Sequence, residues 1–261
     1  KRVDFSDYSN LFYSWGRNGA LAGYPEAILQ APLYDGWFNG CPWGPASAFQ
    51  ENSIGAGFVS PNARYVENYG MANGLPITDD DSGYDPEDPW TGRDPRFYHD
   101  IVIDGDAILK GYESDPRHYA ELFNGGRSKR NDGAGRTGYL LRKLIPIDAN
   151  EVDSNWGGFL QLSYMRLADV YLMYAEAVLK GYGSATSKSL AFDLTAEEAG
   201  NIIRARSNVG NVAAKFVNEP DLFTEATIRD RAVALGCERN PRFDALPRWC
   251  PAENRRYREK T

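Results

Sequence analysis

The C-terminal hundred residues carry the apolar spacing of amphipathic helices. The clearest stripe is formed by Leu167, Val170, Tyr171, Tyr174, Ala175 and Val178. These residues follow the 3.6-residue period of an α-helix. Arg166, Asp169 and Glu176 lie off the stripe, and Gly181 and Gly183 mark the end of the helix. We therefore expect the stripe to be buried in a helix–helix interface and the charged residues to lie on a solvated or ion-paired face.

Two more helices are predicted further along the chain. One begins at Thr195, because Glu198 three residues later completes a capping box, and it ends near Gly210. The other begins with Thr224 as its N-terminal cap. Residues 162–240 are therefore expected to be mostly helical.

Turn-forming pairs such as Asp104-Gly105 punctuate the first 160 residues instead. Two short apolar runs between such turns, 97–103 and 139–147, predict β-strands. The expected fold class is mainly α, with a helical layer beside a loop-rich region that carries short strands.

Aromatic side chains make up 13% of the chain. Rings in irregular segments suit a binding surface, because they offer a large contact area for few rotatable bonds. The same rings can instead hold loops against a core, and the sequence leaves this alternative open. We divide the chain into a loop-rich ligand-binding region, 1–160, and a helical region, 161–261.

Charge and hydropathy argue against nucleic-acid binding and against a membrane-spanning helix. The 36 acidic residues exceed the 29 basic ones and give a net charge of −7, which argues against nucleic acid as a partner. No apolar run reaches the ~18 residues that span a bilayer. Whether Cys237 and Cys250 form a disulfide is left open by the sequence.

Catalytic motifs are also missing. The chain has two histidines, His99 and His118, and no Gly-x-Ser-x-Gly or phosphate-binding glycine motif. Among 36 acids some pair will match glycosidase spacing by chance, so a glycoside hydrolase stays an alternative, as does a helical interaction module. We predict no enzymatic activity and assign no catalytic residue.

An acidic stretch raises the question of a metal ion. Asp79, Asp81 and Asp85 could supply oxygen ligands to Ca²⁺, but the stretch does not match the EF-hand pattern. We expect a solvated loop and no cofactor, with Ca²⁺ as the less favoured alternative.

Five stretches form an ordered set of motifs: TGRDPRF at 91–97, GYLLRK at 138–143, RLADVYLMYAEA at 166–177, IIRAR at 202–206 and RFDALPRW at 242–249. Together they resemble the SusD/RagB family of outer-surface nutrient-binding lipoproteins. An Asn73-Gly74 pair followed by acids adds to the likeness. The helix around Asp230 departs from the family, because two of its usual acids are missing.

The resemblance implies an α-rich fold built on tetratricopeptide-like helix pairs. It also implies non-enzymatic capture of glycans, or in some members peptides, at the bacterial outer-membrane surface. The captured ligand would pass to a SusC-like TonB-dependent transporter, for which the protein serves as a lid. Full members carry an N-terminal helical half and a lipid anchor on a cysteine, so we expect this chain to be a fragment whose contact with the membrane depends on an anchor outside it.

The charged residues of two motifs are expected to tie chain segments to the core by charge-assisted hydrogen bonds rather than to act on a ligand. They are Arg93, Asp94, Arg96, Arg242, Asp244 and Arg248.

The predicted ligand site is an aromatic loop near the start of the chain. Sugars present apolar C–H faces edged by hydroxyl groups, so a glycan site combines flat rings with polar side chains. Residues 34–43 hold the densest such mixture, and their glycines and proline favour an exposed loop. The predicted stacking rings and hydroxyl partners are Trp37, Trp43, Tyr34, Asp35 and Asn39, with Trp15 as a second candidate.

Overall fold

The computed structural model of the protein describes residues 8, 11–14, 26–30, 60–108, 114, 118–126, 128, 137–143, 159–160 and 163–238. The helices among them are α1 (Ala63–Val66), α2 (Pro95–Asp100), α3 (Leu167–Tyr182), α4 (Ala196–Arg206), α5 (Ala214–Val217) and α6 (Pro220–Ala234). The strands are β1 (Tyr13–Ser14), β2 (Ala27–Gln30), β3 (Ile101–Val102), β4 (Leu140–Leu141), β5 (Phe159–Leu160) and β6 (Ser163–Arg166). They form antiparallel pairs of β1 with β5, β2 with β6, and β3 with β4. The predicted fold class, mainly helical with short strands, is confirmed.

The longest helix, α3, packs against both α4 and α6. It follows β6 directly and ends at Gly183, whose φ of 77° lies in the left-handed region that glycine adopts without strain. Its buried face consists of Ala168, Asp169, Leu172, Ala175, Val178 and Leu179. Alanines on this face let the neighbouring helices approach closely.

The apolar stripe predicted for α3 is therefore partly wrong. Val170 is 36% exposed, and Leu167, Tyr171 and Tyr174 are only half buried. Because α3 has helical neighbours on two sides, the buried face points between them, and the two tyrosines pack at the margin of the core. The period of the apolar residues correctly predicts a helix, but it predicts only part of the face that is buried.

Local capping signals are right for α4 and wrong for α6. The Thr195 hydroxyl accepts a hydrogen bond from the Glu198 N–H at 3.1 Å, and the Glu198 carboxylate accepts one from the Thr195 N–H at 2.8 Å. The helix ends at Arg206, slightly earlier than predicted. Helix α6 begins at Pro220 rather than Thr224, whose hydroxyl donates to the Pro220 carbonyl at 2.8 Å inside the first turn. Proline suits a first helical position, because the N–H that proline lacks would have no partner within the helix there.

The strand predicted over 97–103 is also partly wrong, because its first residues belong to α2. Asp94 caps this helix by accepting from the Arg96 N–H at 2.9 Å, and Pro95 occupies the first helical position. Only Ile101–Val102 remains extended, and it pairs with β4.

Two apolar clusters join the helices to the preceding loops. The larger one lies between α3, α4, α5 and α6, and it includes Val178, Ala199, Phe216 and Phe223. The other lies between α1, α2 and β3, and it also takes in Val233 from α6. Helix α6 therefore contributes to both clusters.

A close backbone contact fixes the loop before the acidic stretch. The Gly210 N–H donates to the Ala72 carbonyl at 2.8 Å. A Cβ atom at Gly210 would lie 2.2 Å from the Asn73 carbonyl oxygen, so no side chain fits there. The loop at Ala72 and Asn73 is thereby held against the chain that follows α4.

The division of the chain at residue 160 stays a prediction. None of the helices in the described ranges is long and apolar enough to cross a membrane.

The buried face of α3 can be tested with two substitutions in one helix. Leu172→Ala should lower the free energy of unfolding by about 2–5 kcal/mol, because Leu172 is 1% exposed and truncation leaves a cavity. Val170→Ala is the control, and at 36% exposure it should cost less than about 1 kcal/mol. Urea unfolding followed by circular dichroism measures both. Equal losses in the two variants would contradict the described face.

Candidate functional site

The predicted ligand-binding residues are Trp15, Tyr34, Asp35, Trp37, Asn39 and Trp43. All of them lie outside the described residues, as do Arg242, Asp244 and Arg248. Their roles stay predictions. The described residues hold two other features of interest, which are buried charge clusters and a group of half-exposed rings.

The first charge cluster is centred on Arg166, at the junction of β6 and α3. Its guanidinium group lies 2.8 Å from the Glu26 carboxylate and 2.7 Å from that of Glu238. Arg206 contacts the same Glu26 oxygen at 2.6 Å, and the Lys143 ammonium contacts Glu238 at 2.8 Å. All five side chains are buried. This Arg166 cluster ties residues from both ends of the described chain to β6 and α4.

Burial and pairing shift the pKa values of this cluster in opposite directions. Burial alone would raise the pKa of Glu238, but the positive charges of Arg166 and Lys143 outweigh it and lower the pKa to about 2. Burial alone would lower the pKa of Lys143, but the negative charge of Glu238 outweighs it and raises the pKa. Both side chains are therefore charged at neutral pH.

The second charge cluster is centred on Asp230 of α6. Its carboxylate lies 2.7 Å from Arg204 of α4 and 3.3 Å from Arg96 of α2. Arg96 also contacts Asp94 at 2.6 Å. Burial would raise the pKa of Asp230, but Arg204 and Arg96 outweigh this effect and lower it. This Asp230 cluster connects the loop-rich part of the chain to two helices.

A separate ion pair joins α3 to α6, where Asp169 lies 2.6 Å from Arg231. Asp169 and Arg166 were expected on a solvated or ion-paired helix face. Ion pairing is confirmed, but both side chains are buried. A charged residue in a helical pattern normally indicates exposure to solvent, so this burial was not predicted.

Arg93 has a different kind of partner, because it donates to backbone oxygens rather than to a carboxylate. Its guanidinium group contacts the carbonyls of Val66, Tyr69, Gly70 and Pro89 at 2.5–3.3 Å. These bonds hold the turns after α1 and before α2. The structural role predicted for Arg93, and for Asp94 and Arg96 in the Asp230 cluster, is confirmed.

His99 is hydrogen-bonded to a carboxylate, and Cys237 is a partly buried thiol. His99 Nδ1 lies 2.7 Å from the Asp100 carboxylate, whose other oxygen accepts from the Tyr69 hydroxyl at 2.9 Å. Cys237 carries a free thiol, and burial raises its pKa to about 11. Because the reactive form of cysteine is the thiolate, this thiol is a poor nucleophile at neutral pH.

The acidic stretch is neutralised in part by Lys215 of α5. The Lys215 ammonium lies 2.7 Å from Asp79 and 2.7 Å from Asp81, while Asp85 accepts from the Glu87 N–H at 2.9 Å. Within the described part of the chain, no three histidine, cysteine or acidic side chains are grouped as a metal site would require.

A group of aromatic rings lies beside Arg93, and three of them, Trp90, Tyr98 and Tyr139, are partly exposed. Trp90 stacks on Phe97 with ring centres 5.8 Å apart, and Tyr139 meets Trp90 edge-on at 5.6 Å. The Arg93 guanidinium lies 4.9 Å from the centre of the Phe97 ring. Tyr98 packs edge-on against Phe97 at 5.3 Å and is 46% exposed. We call these residues the Arg93 ring group. It was not predicted, because Tyr139 is distant in sequence from the other members.

The chain belongs to the SusD family, whose model matches residues 34–261. Solved structures agree with this assignment. A SusD-like protein from Bacteroides fragilis is 21% identical with a TM-score of 0.69, and the match covers 95% of this chain and 47% of that one. A SusD-like carbohydrate-binding protein from the same species is 22% identical with a TM-score of 0.58, covering 94% and 45%.

A third structure, a SusD superfamily protein from Bacteroides vulgatus, is 17% identical with a TM-score of 0.57, covering 95% of this chain and 44% of that one. At these identities the likeness concerns the fold. The chain spans less than half the length of the solved structures that it matches here. No curated protein sequence matches the chain.

The Arg166 cluster predicts how stability depends on pH. The pKa of Glu238 falls from its ordinary 4.5 to about 2 in the folded protein, so its charge stabilises the fold above pH 4.5. This contribution, about 3 kcal/mol, should disappear as the pH falls from 4.5 to about 2. Urea unfolding of the parent protein and Glu238→Gln should therefore differ by about this amount at pH 7 and converge in acid.

Asp193→Asn is the control for that measurement. Asp193 also forms an ion pair, with Lys188, but its side chain is 87% exposed. Exposed pairs contribute little, so this variant should unfold at the same urea concentration as the parent protein at each pH. A Glu238→Gln difference that does not shrink in acid would contradict the assigned role of Glu238.

Proposed function

We propose that this protein captures glycans without enzymatic action at the outer-membrane surface and delivers them to a TonB-dependent transporter. The observation that carries the proposal is the match of residues 34–261 to the SusD family. The likeness in fold to a SusD-like carbohydrate-binding protein supports a glycan as the ligand.

The charge clusters are consistent with binding rather than catalysis. Hydrolysis of a glycoside needs an acid and a second carboxylate that reach the sugar. Asp94, Asp169, Asp230, Glu26 and Glu238 are instead buried and ion-paired. Their role is to keep loops and helices in fixed positions, which lowers the entropy cost of binding a flexible oligosaccharide.

The loop at 34–43 is the proposed glycan site. Trp37 and Trp43 serve as stacking platforms, Tyr34 is a third ring, and Asp35 and Asn39 bind sugar hydroxyls. Trp15 is a further candidate ring. The composition of this loop supports the assignment, because it combines four aromatic rings with two polar side chains within ten residues.

Trp37→Ala and Trp43→Ala test this site. By analogy with bases that stack on aromatic rings, one stacked ring contributes ~1–3 kcal/mol, so each variant should weaken glycan binding about five- to a hundredfold. Calorimetry against a panel of oligosaccharides measures the affinities, and circular dichroism checks that the helical signal is unchanged. If the parent protein binds a glycan and both variants bind it equally well, the site lies elsewhere.

Delivery to a transporter requires a stable complex between the two proteins. The full-length protein should therefore co-purify in mild detergent with a TonB-dependent transporter of its own organism. A tagged version of the same protein with Leu172→Ala serves as a control for folding, since it weakens the helical core described above. Repeated failure of the folded parent protein to retain any such transporter would count against the proposed delivery.

A further inference from the structure

Tyr98 is held in place yet remains exposed. Its hydroxyl accepts a hydrogen bond from the Arg93 N–H at 3.1 Å and donates one to the Trp90 carbonyl. Even so, 46% of the residue is exposed. With its hydroxyl hydrogen-bonded to two backbone groups, the ring is held in one position while part of the residue faces the solvent. A ring that is fixed before a ligand arrives loses little entropy on binding.

Neighbouring rings extend this surface. Trp90 is half buried and is fixed by its stacking on Phe97, and Tyr139 is half buried against the edge of Trp90. The Arg93 guanidinium lies 5.7 Å from the centre of the half-buried Tyr84 ring. Three different segments of the chain thus bring partly exposed rings together around Arg93.

The polar groups beside these rings suit a neutral ligand. Arg93 is 3% exposed and donates four hydrogen bonds to backbone carbonyls, so it is not available to bind an anion. The exposed Glu67 directly follows Val66, which packs in the same apolar cluster as Trp90 and Tyr139 and whose carbonyl accepts from Arg93. A carboxylate at the edge of a ring group repels anions and accepts hydrogen bonds from sugar hydroxyls.

A pyranose ring has the complementary chemistry. One of its faces carries C–H groups that stack on aromatic rings, and its edge carries hydroxyls that donate to carboxylates and phenols. We propose that Tyr98, with Trp90 and Tyr139, forms a second stacking site for a neutral pyranose unit of the captured glycan. The proposal rests on glycan capture as the proposed function, and it adds a contact remote in sequence from the loop at 34–43.

The test compares variants of Tyr98 in calorimetric titrations. The probes are hexasaccharides of β-1,3-glucan, α-1,4-glucan, β-1,4-xylan and, as an anionic sugar, α-1,4-galacturonan. Tyr98→Ala removes the ring and should weaken binding of the neutral sugar about fivefold or more, whereas Tyr98→Phe keeps the ring and should change it less than about twofold. Tyr182→Ala is the matched control, because Tyr182 is 50% exposed at the end of α3, outside the Arg93 ring group, and should have no effect.

Glu67→Gln provides a second test of the site if Tyr98→Ala does not fold. Its side chain is exposed, and the substitution should leave the unfolding midpoint unchanged while weakening neutral-sugar binding about twofold or more. If the parent protein binds a hexasaccharide and folded Tyr98→Ala binds it equally well, the second site is wrong and glycan capture stands. With Tyr98→Ala unfolded, unchanged binding by Glu67→Gln has the same meaning. If the parent protein binds none of the four sugars, glycan capture and the second site both fail for these ligand classes.

Discussion

The packing of the described chain depends on two buried carboxylates, Asp230 in α6 and Glu238 just after its end. Asp230 lies within 3.3 Å of arginines from α2 and α4, and Glu238 lies within 2.8 Å of Arg166 and Lys143. A charge in the protein interior is costly unless it is paired, so loss of either carboxylate would leave buried arginine or lysine side chains with fewer partners. One helix and the residues after it therefore specify where the other segments dock.

This use of charge differs from that of a catalytic site. Catalytic groups are placed where a substrate reaches them, and their pKa values are tuned to exchange protons near neutral pH. In this protein pairing lowers the pKa values of Asp230 and Glu238 and raises that of Lys143, away from neutrality in each case. These side chains therefore stay charged at neutral pH, and their ion pairs hold separate segments of the chain together.

Features that depend on neighbouring residues could be predicted from the sequence. The capping box of Thr195 and Glu198 and the stop at Gly183 are local, and both are found in the structure. Features that depend on distant partners could not. The burial of Asp169 requires Arg231, and the exposure of Val170 follows from the placement of two other helices.

The same limit applies to the candidate sites. The loop at 34–43 was found because its rings are adjacent in sequence. The Arg93 ring group was missed because its members are separated by up to 49 positions, from Trp90 to Tyr139. The prediction of α2 as a strand shows the opposite case, in which Asp94 and Pro95 supplied a local helix start that the apolar run concealed.

The sequence separation of the ion pairs bears on how the protein folds. Arg96 and Asp230 are 134 residues apart, and Arg166 and Glu26 are 140 apart. Contacts between residues so far apart in sequence form slowly, because the intervening chain loses conformational entropy before the contact contributes any stability. A half-assembled intermediate would have to keep these charges hydrated, since burying one without its partner is prohibitive. Docking of the helices onto the loops is therefore expected to be a late, all-or-none event in folding, and partial unfolding of either part should expose both.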